Sequence, residues 1–467
     1  MPTANAESTC IIDVVPTPSL GDRSYLVVSG QEALLVDPQR DPWSVIQECQ
    51  RRGLTIRYAL ETHVHNDYLS GAREVAAASG AQVVGPARAG YGFPHLGLAD
   101  GGELVLGAVR VRAIHTPGHT PEHTAYLIYQ DAATPLAVFT GGSLIAGGAG
   151  RTDLFGPGRA IALTQAQYRS VRRLALLPAD TPVLPTHGWG SFCAPSAPAT
   201  ADTSTIGGER CSNPALREIT QAQFVHEHLS GLPPYPRYYT SMGALNRAGP
   251  PVLGGLPAME PLSPPQLAAI QAAGGWVIDG RDRWSFAEAH ITGSVNIELD
   301  EGFATYLGWL VPFGAPLALV LPEPVPRTSV EAMRHLVRIG YEHVSGYLCG
   351  GISAWQAANH PVRGYPVVDA ARLPSGLDEV CVLDVRLPGE FADGHLPASL
   401  NIHVGDLPHR LTELPRDRRV WVICRTGRRA AVAASLLDAA GLSVTAVTSG
   451  GVPDLLCRVS QLTDVRP

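Results

Sequence analysis

The chain contains no lysine: all 35 of its basic Lys-plus-Arg residues are arginine. That absence excludes a Schiff-base lysine, a P-loop lysine and a lysine general base. No apolar run approaches the roughly 18 residues that cross a bilayer, and the start, MPTANAESTC, lacks the charged and apolar regions of a secretory leader. No CxxC pair occurs among Cys10, Cys49, Cys193, Cys211, Cys349, Cys381, Cys424 and Cys457, so the cysteines do not read as a disulfide framework. The formal net charge is -7 and no basic cluster is long enough to follow a phosphate backbone, which argues against nucleic acid as a partner. Small anions can still bind locally. These absences point to a cytoplasmic protein with reduced thiols and no membrane partner.

What is present is ample. At about 150 residues per domain, 467 residues give roughly three domains, each able to close a core. Hydrophobic residues reach 45% and charged residues 16%, and 49 Gly with 40 Pro indicate a loop-rich globular chain. SYLVVS and ALLVD (24–37) read as strands around Gly30, followed by a helix near 42–52 and a strand ending at Thr62. ELVLGAVRVRAIH, TAYLIY and LAVFT add further strands. This order predicts an α/β sandwich with functional residues on loops at strand ends. Residues 193–215 have the composition of a long loop, and 249–265 that of a linker, placing a boundary near 260.

The last 200 or so residues repeat themselves. VIDGRDRWSFAEAHITGSVNI (277–297) matches VLDVRLPGEFADGHLPASLNI (382–402), setting Asp279 over Asp384, His290 over His395 and Asn296 over Asn401. GGISAW (350–355) and GGVPDL (450–455) continue the match. Two tandem α/β domains follow, 261–364 and 365–467, behind a first domain of 1–260.

In the second copy, RRVWVICRTGRRAAVAASLLDAAG reads as a strand over Val420–Ile423, a loop opening at Cys424, and a helix through Leu437. A thiol there faces backbone amides and the positive end of a helix, and Arg425, Arg428 and Arg429 add positive charge. With DVR (Asp384 to Arg386), FADGHLPASLNI and the closing SGG, residues 366–467 resemble a rhodanese domain. The resemblance implies sulfane sulfur carried on Cys424, with Arg425 and Arg429 stabilising anions and Asp384 with Arg386 bracing the loop. A related phosphatase family uses a longer loop than the six residues Cys424–Arg429. In the first copy Leu321 or Pro322 stands at the nucleophile position, and Pro322, Pro324 and Pro326 remove amide donors. That copy is expected to be inactive in sulfur transfer, a spacer or docking surface.

Near the front, THVHNDY (62–68) and HTPGHTPEH (115–123) each follow a predicted strand and bring imidazoles to the mouth of a sheet. Histidines at i and i+2 on one loop, completed from a second loop, make a metal site with open positions. With FTGGSL, GRTDL and PTHG, this segment resembles the metallo-β-lactamase fold, an αββα sandwich, and more narrowly its glyoxalase II and persulfide dioxygenase branch. The resemblance maps metal ligands to His63, His65, Asp67, His119 and His187. Tyr68 and Gly142 stand where a histidine and a bridging aspartate are usual.

Loss of both argues against a dinuclear zinc centre and for one ion, Fe(II) favoured and Zn possible. Three arrangements stay open: His65 joining His63 and His119, Asp67 or Asp153 replacing the lost carboxylate, or a metal-free domain kept for packing. Arg151 either orients a glutathione or coenzyme A carboxylate or pairs with Asp153. Tyr68 either hydrogen-bonds substrate or packs. Cys193, in THGWGSFC, matches fused persulfide dioxygenase sulfurtransferases, where such a cysteine handles persulfide, or is a thiol with no task.

The implied function is oxidation of a low-molecular-weight persulfide of glutathione, coenzyme A or a similar thiol to sulfite at the metal, with sulfane-sulfur transfer through Cys424 to or from thiosulfate and sulfite. A homo-oligomer is expected. The alternatives are a single active rhodanese on a binding scaffold, and a metal-dependent thioester hydrolase.

Overall fold

The structure, a computed structural model, describes residues 10–131, 134–194, 204–373 and 380–463. The chain divides into two compact units, one running to Pro257 and including Leu336–Gly340, the other formed by Ala258–His335 and the chain from Tyr341 onward.

The first unit is an αββα sandwich. One six-stranded sheet begins with Cys10–Thr17, Asp22–Ser29 and Glu32–Val36, antiparallel in sequence, and continues in parallel through Thr55–Leu60, Gln82–Pro86 and Leu96–Leu98. The other runs Ser204–Thr205, Pro182–Pro185, Thr134–Gly141, Thr124–Asp131, Val109–His115, Glu103–Leu106. Strand alternation explains the layering, because successive side chains leave opposite faces. Tyr25, Val27, Leu34, Val36, Tyr126 and Ile128 meet between the sheets, whereas their neighbours Leu26, Val28, Ala33 and Leu35 pack outward with Ile46 and Val75. Those two belong to the helices Trp43–Arg51 and Ala72–Ser79. Leu127 and Val138 pack instead with Val171 and Phe224, from Pro157–Leu174 and Gln221–Ser230. Both faces of the central strands are therefore buried, while the edge strands Cys10–Thr17 and Glu103–Leu106 expose Ile11, Val14 and Val105, and functional groups gather at strand ends.

The expected loop over 193–215 is only partly one. Residues 195–203 lie outside the described residues, as does most of MPTANAESTC, and Ile206–Ser212 forms a helix. Gly207, Gly208 and Ser212 are poor helix formers, but the Thr205 side chain caps the helix by accepting from Gly208 N, and Ile206 is fully buried. Tertiary contact overrides composition here.

The second unit holds two parallel five-stranded sheets of one topology. The first orders Pro261–Leu262, Val344–Leu348, Leu317–Val320, Trp276–Asp279, Val295–Asn296; the second orders Val367–Asp369, Val444–Ser449, Val420–Ile423, Cys381–Asp384, Leu400–Asn401. Repeated residues make repeated bonds. Arg281 pairs with Asp279 and donates to the Ala289 carbonyl, as Arg386 does with Asp384 and Gly394. The Asn296 and Asn401 amides each donate to the two carbonyls of that pair. No helix among the described residues is long and apolar enough to cross a membrane.

Candidate metal centre and cysteine loop

Three imidazoles converge from three loops, each just beyond a strand: His63 after Thr55–Leu60, His119 after Val109–His115 and His187 after Pro182–Pro185. Their ring centroids lie 4.9 Å (His63–His119), 5.3 Å (His63–His187) and 5.2 Å (His119–His187) apart, and all three are fully buried. Each Nδ1 is committed away from the centre. His63 Nδ1 donates to Thr62 Oγ1 at 2.8 Å, and that hydroxyl donates in turn to Asp37 Oδ2 at 2.7 Å. His119 Nδ1 donates to the Arg151 carbonyl at 2.7 Å, and His187 Nδ1 to Asp22 Oδ1 at 2.9 Å. These bonds fix the tautomer that turns each Nε2 lone pair inward.

His119 Nε2 has no hydrogen-bond partner among the described residues, and the Nε2 atoms of His63 and His187 face each other at 3.3 Å. Lone pairs so placed repel unless a cation lies among them. A tetrahedral ion with Zn–N bonds of about 2.0–2.1 Å separates its nitrogens by about 3.3–3.4 Å, so the spacing and the donor set fit a metal ion. In the absence of a cation a proton takes that place. Burial opposes the charged form of His187, but Asp67 and Asp22 outweigh it and lift its pKa to about 10. Burial and the His187 charge hold His119 at about 3.

His65 is engaged differently. Its Nε2 lies 2.9 Å from Glu61 Oε2 and 3.3 Å from Asp37 Oδ1, while the Tyr68 hydroxyl sits 3.0 Å from the same nitrogen. Burial disfavours its charge, yet the two carboxylates raise its pKa well above the ordinary value. Its ligating atoms still fall within reach of His63 and Asp37, and of Asp67 and His187, in two further possible sets. Asp37 already accepts from the Thr62 amide and hydroxyl and from Thr186. The set of His63, His119 and His187 therefore has the most donor capacity free. Asp67 Oδ2 lies 3.2 Å from His187 Nδ1, next to the set.

Arg151 is buried and bonded within the protein. It pairs with Asp153 at 2.7 and 2.8 Å, donates to the Phe192 and Pro233 carbonyls, and lies 4.4 Å from the centroid of the Tyr235 ring. Asp153 is thereby tied to Arg151, away from the role of replacement ligand. The Tyr68 hydroxyl is taken by His65 and the Asp37 carbonyl. Cys193 is fully buried; burial, then the Asp67 and Asp22 charges, push its thiol pKa well up, against a hydrogen bond with Tyr239. It is held as a neutral thiol.

In the second unit, Cys424 follows the strand Val420–Ile423, and the Gly427 N–H donates to its Sγ at 3.1 Å. Gly427 has φ +91°, and a Cβ there would collide with Thr448, so only glycine aims this amide at the sulfur. The helix Arg428–Ala439 starts immediately after it. SGG closes the loop from outside: the Val452 N–H donates to the Cys424 carbonyl at 2.9 Å, and a Cβ on Gly451 would lie 2.5 Å from that oxygen. Gly451→Ala is expected to displace the loop and lower the rate of reaction at Cys424 by about tenfold or more, as misplacement of a reacting group does, with the fold retained by circular dichroism.

The three loop arginines differ. Arg429 makes a bidentate pair with Glu390 at 2.5 and 2.8 Å, Arg428 pairs with Asp300 at 2.7 Å, and Arg425 is exposed. In the first copy, Val320 occupies the register of Ile423, opposite Asp279 as Ile423 is opposite Asp384, so Leu321 is the residue at the position of Cys424.

A metallo-beta-lactamase superfamily model matches residues 21–187, and a rhodanese-like domain model matches 263–358 and 369–455. A hydroxyacylglutathione hydrolase from Cereibacter sphaeroides is 33% identical over 186 residues, 38% of this chain and 68% of that relative. The chain belongs to the metallo-beta-lactamase superfamily. Tandem rhodanese-like domains follow its metallo-beta-lactamase domain. A solved metallo-beta-lactamase from Staphylococcus aureus superimposes with a TM-score of 0.65 at 27% identity, covering 73% of this chain and 98% of that one. A hydroxyacylglutathione hydrolase from Methylococcus capsulatus is 38% identical over 145 residues, 31% of this chain and 52% of that relative.

Within the metallo-beta-lactamase domain, Gly142 leaves no space for the aspartate usual in the superfamily. A Cβ there would collide with His119 Cδ2 and lie 2.7 Å from His119 Nε2. Gly142→Asp is therefore expected to displace His119 and weaken metal binding by about tenfold or more, measured by metal titration, rather than build a second site. Sequence reading missed Asp22, Asp37, Glu61 and Thr62, the groups that orient the histidines. Thr62 and Glu61 adjoin the motif, but nothing local marks Asp22, 165 residues from His187.

Proposed function

We propose that this chain oxidises a low-molecular-weight persulfide at its front domain and transfers sulfane sulfur through Cys424 at its rear. The observation that carries the reading is the set of three inward Nε2 atoms on His63, His119 and His187, which keeps the most donor capacity free, with Gly142 and Tyr68 where the resemblance places ligands of a second ion. His63, His119 and His187 would hold the ion. Fe(II) held there supplies the redox chemistry by which dioxygen oxidises sulfane sulfur, whereas Zn supplies only Lewis acidity. Asp22 and Thr62 keep the imidazoles in the ligating tautomer, and the buried surroundings exclude water. The overall reaction is RSSH + O₂ + H₂O giving RSH and sulfurous acid, which ionises to sulfite.

At the rear, the Cys424 thiolate attacks the outer sulfur of thiosulfate. A new S–S bond forms, the S–S bond of thiosulfate breaks, and sulfite leaves with the electron pair. Gly427 N–H stabilises charge on Sγ, and exposed Arg425 attracts the anionic donor. Run in reverse, the same step consumes sulfite, the product proposed for the front domain, and forms thiosulfate. A reducing, cytoplasmic setting, in which thiols stay free, is part of this reading.

The likeness to hydroxyacylglutathione hydrolases favours a second reading, thioester hydrolysis on a glutathione-type substrate. Oxygen consumption with glutathione persulfide and coenzyme A persulfide, after anaerobic iron loading, separates the two. Oxygen uptake with sulfite formation is expected. Hydrolysis of a hydroxyacyl thioester of glutathione without uptake from either persulfide would overturn the dioxygenase reading.

A further inference from the structure

The Cys-less copy reaches the sulfur loop of its neighbour. Its Asp300 carboxylate pairs through Oδ2 with Arg428 at 2.7 Å and accepts the Gly302 N–H through Oδ1, also at 2.7 Å. Both oxygens are thus used and the carboxylate is held in place. Gly302 leaves room for the contact, since a Cβ there would stand 3.3 Å from Arg428 Nη1. Arg283, itself paired with Glu298, donates to the Thr426 carbonyl at 3.5 Å. Burial raises the pKa of the Tyr306 phenol, on the helix Phe303–Leu310, and the Arg429 and Arg428 charges oppose it. The attachment extends down the helix that begins at the loop: Ser435 Oγ accepts from Asn296 N at 2.9 Å, and Asp438 meets His290 at 3.2 Å.

Charge accounting gives this contact a consequence. The loop carries three arginines, but Glu390 compensates Arg429 and Asp300 compensates Arg428, leaving Arg425. We propose that Asp300 is a specificity-determining residue of the Cys424 pocket: by holding and neutralising Arg428, it lowers the pocket's preference for doubly charged sulfur donors, such as thiosulfate, relative to singly charged persulfides. This inference rests on the reading of Cys424 as the sulfur carrier. The Cys-less domain then sets donor choice without touching the transferred sulfur, which makes Asp300 a positioning residue.

The test compares steady-state transfer to cyanide from thiosulfate and from the persulfide of 2-mercaptoethanol, in which the persulfide is the only ionisable group. Asp300→Asn frees one positive charge. Coulomb energy is proportional to donor charge, so the fold-change in KM for the dianion is the square of that for the monoanion. A fall of about fourfold for thiosulfate against about twofold for the persulfide is expected at low salt, shrinking as salt screens these half-exposed groups. Arg428→Gln, which leaves Asp300 uncompensated, is expected to shift the ratio the opposite way, and the double variant to restore it. A merely structural contact would change kcat for both donors alike. An unchanged KM ratio in Asp300→Asn, or a double variant that fails to restore the ratio, overturns the inference. Should Cys424→Ser retain transfer, the reading of Cys424 falls instead, and the two failures are told apart.

Discussion

Cys424→Ser is expected to abolish thiosulfate:cyanide sulfur transfer, with a loss on the order of 10³-fold or more. The sulfur sits where the Gly427 N–H donates to it at 3.1 Å and where the helix Arg428–Ala439 begins, so a sulfur atom carried there faces a positioned donor at a helix N-terminus. A serine hydroxyl has nearly the same shape but ionises far less readily and cannot carry sulfane sulfur as a persulfide. The fold is expected to stay intact, because Cys424 is 1% exposed and the replacement removes no carbon. The metal cluster of His63, His119 and His187 contains no residue of this loop, so metal content is expected to be unchanged. Two measurements check this. Transfer rates report the chemistry, and intact mass after thiosulfate treatment reports a gain of about 32 Da, one sulfur atom, in the wild type and none in the variant. Full retention of transfer would remove the sulfur from Cys424.

How much of this was legible in the sequence depended on the range of the interactions. The repeat set Asp279 over Asp384, and the resemblance gave Asp384 with Arg386 as a brace; the matching Arg281–Asp279 pair is made locally, two residues apart, as its counterpart is. The strands around Tyr25 and Leu34 were equally readable, since SYLVVS and ALLVD are short apolar runs on either side of Gly30. Choosing Leu321 over Pro322 as the counterpart of Cys424 required sheet register, which pairs residues some forty positions apart. The histidines were visible as types but not as roles. His63 and His65 are two residues apart on one loop; Thr62 turns the first toward the centre, and Glu61 with Asp37 holds the second. The arginines behaved alike: the sequence showed the charges of Arg428 and Arg429, but not that Asp300 and Glu390, both distant in sequence, are paired with them.

That separation of roles makes the histidines the other decisive test. His187→Gln is expected to lose the bound metal, from about one ion per chain to about a tenth or less under dilution, because removing a first ligand costs more than the 10–100-fold typical of an outer-shell partner. Oxygen uptake is expected to vanish with it. His65→Gln is expected to behave differently. It leaves Glu61 and Asp37 buried without their cationic partner, and breaking a buried pair in this way costs about 3–5 kcal/mol, so the melting temperature falls while metal stoichiometry in the folded protein stays near the wild type. Metal analysis paired with thermal melting of the two variants gives opposite signatures. If His65→Gln loses the ion and His187→Gln keeps it, the ligand set is the one of His65 with His63 and Asp37, and Asp22 orients a residue that does not bind metal.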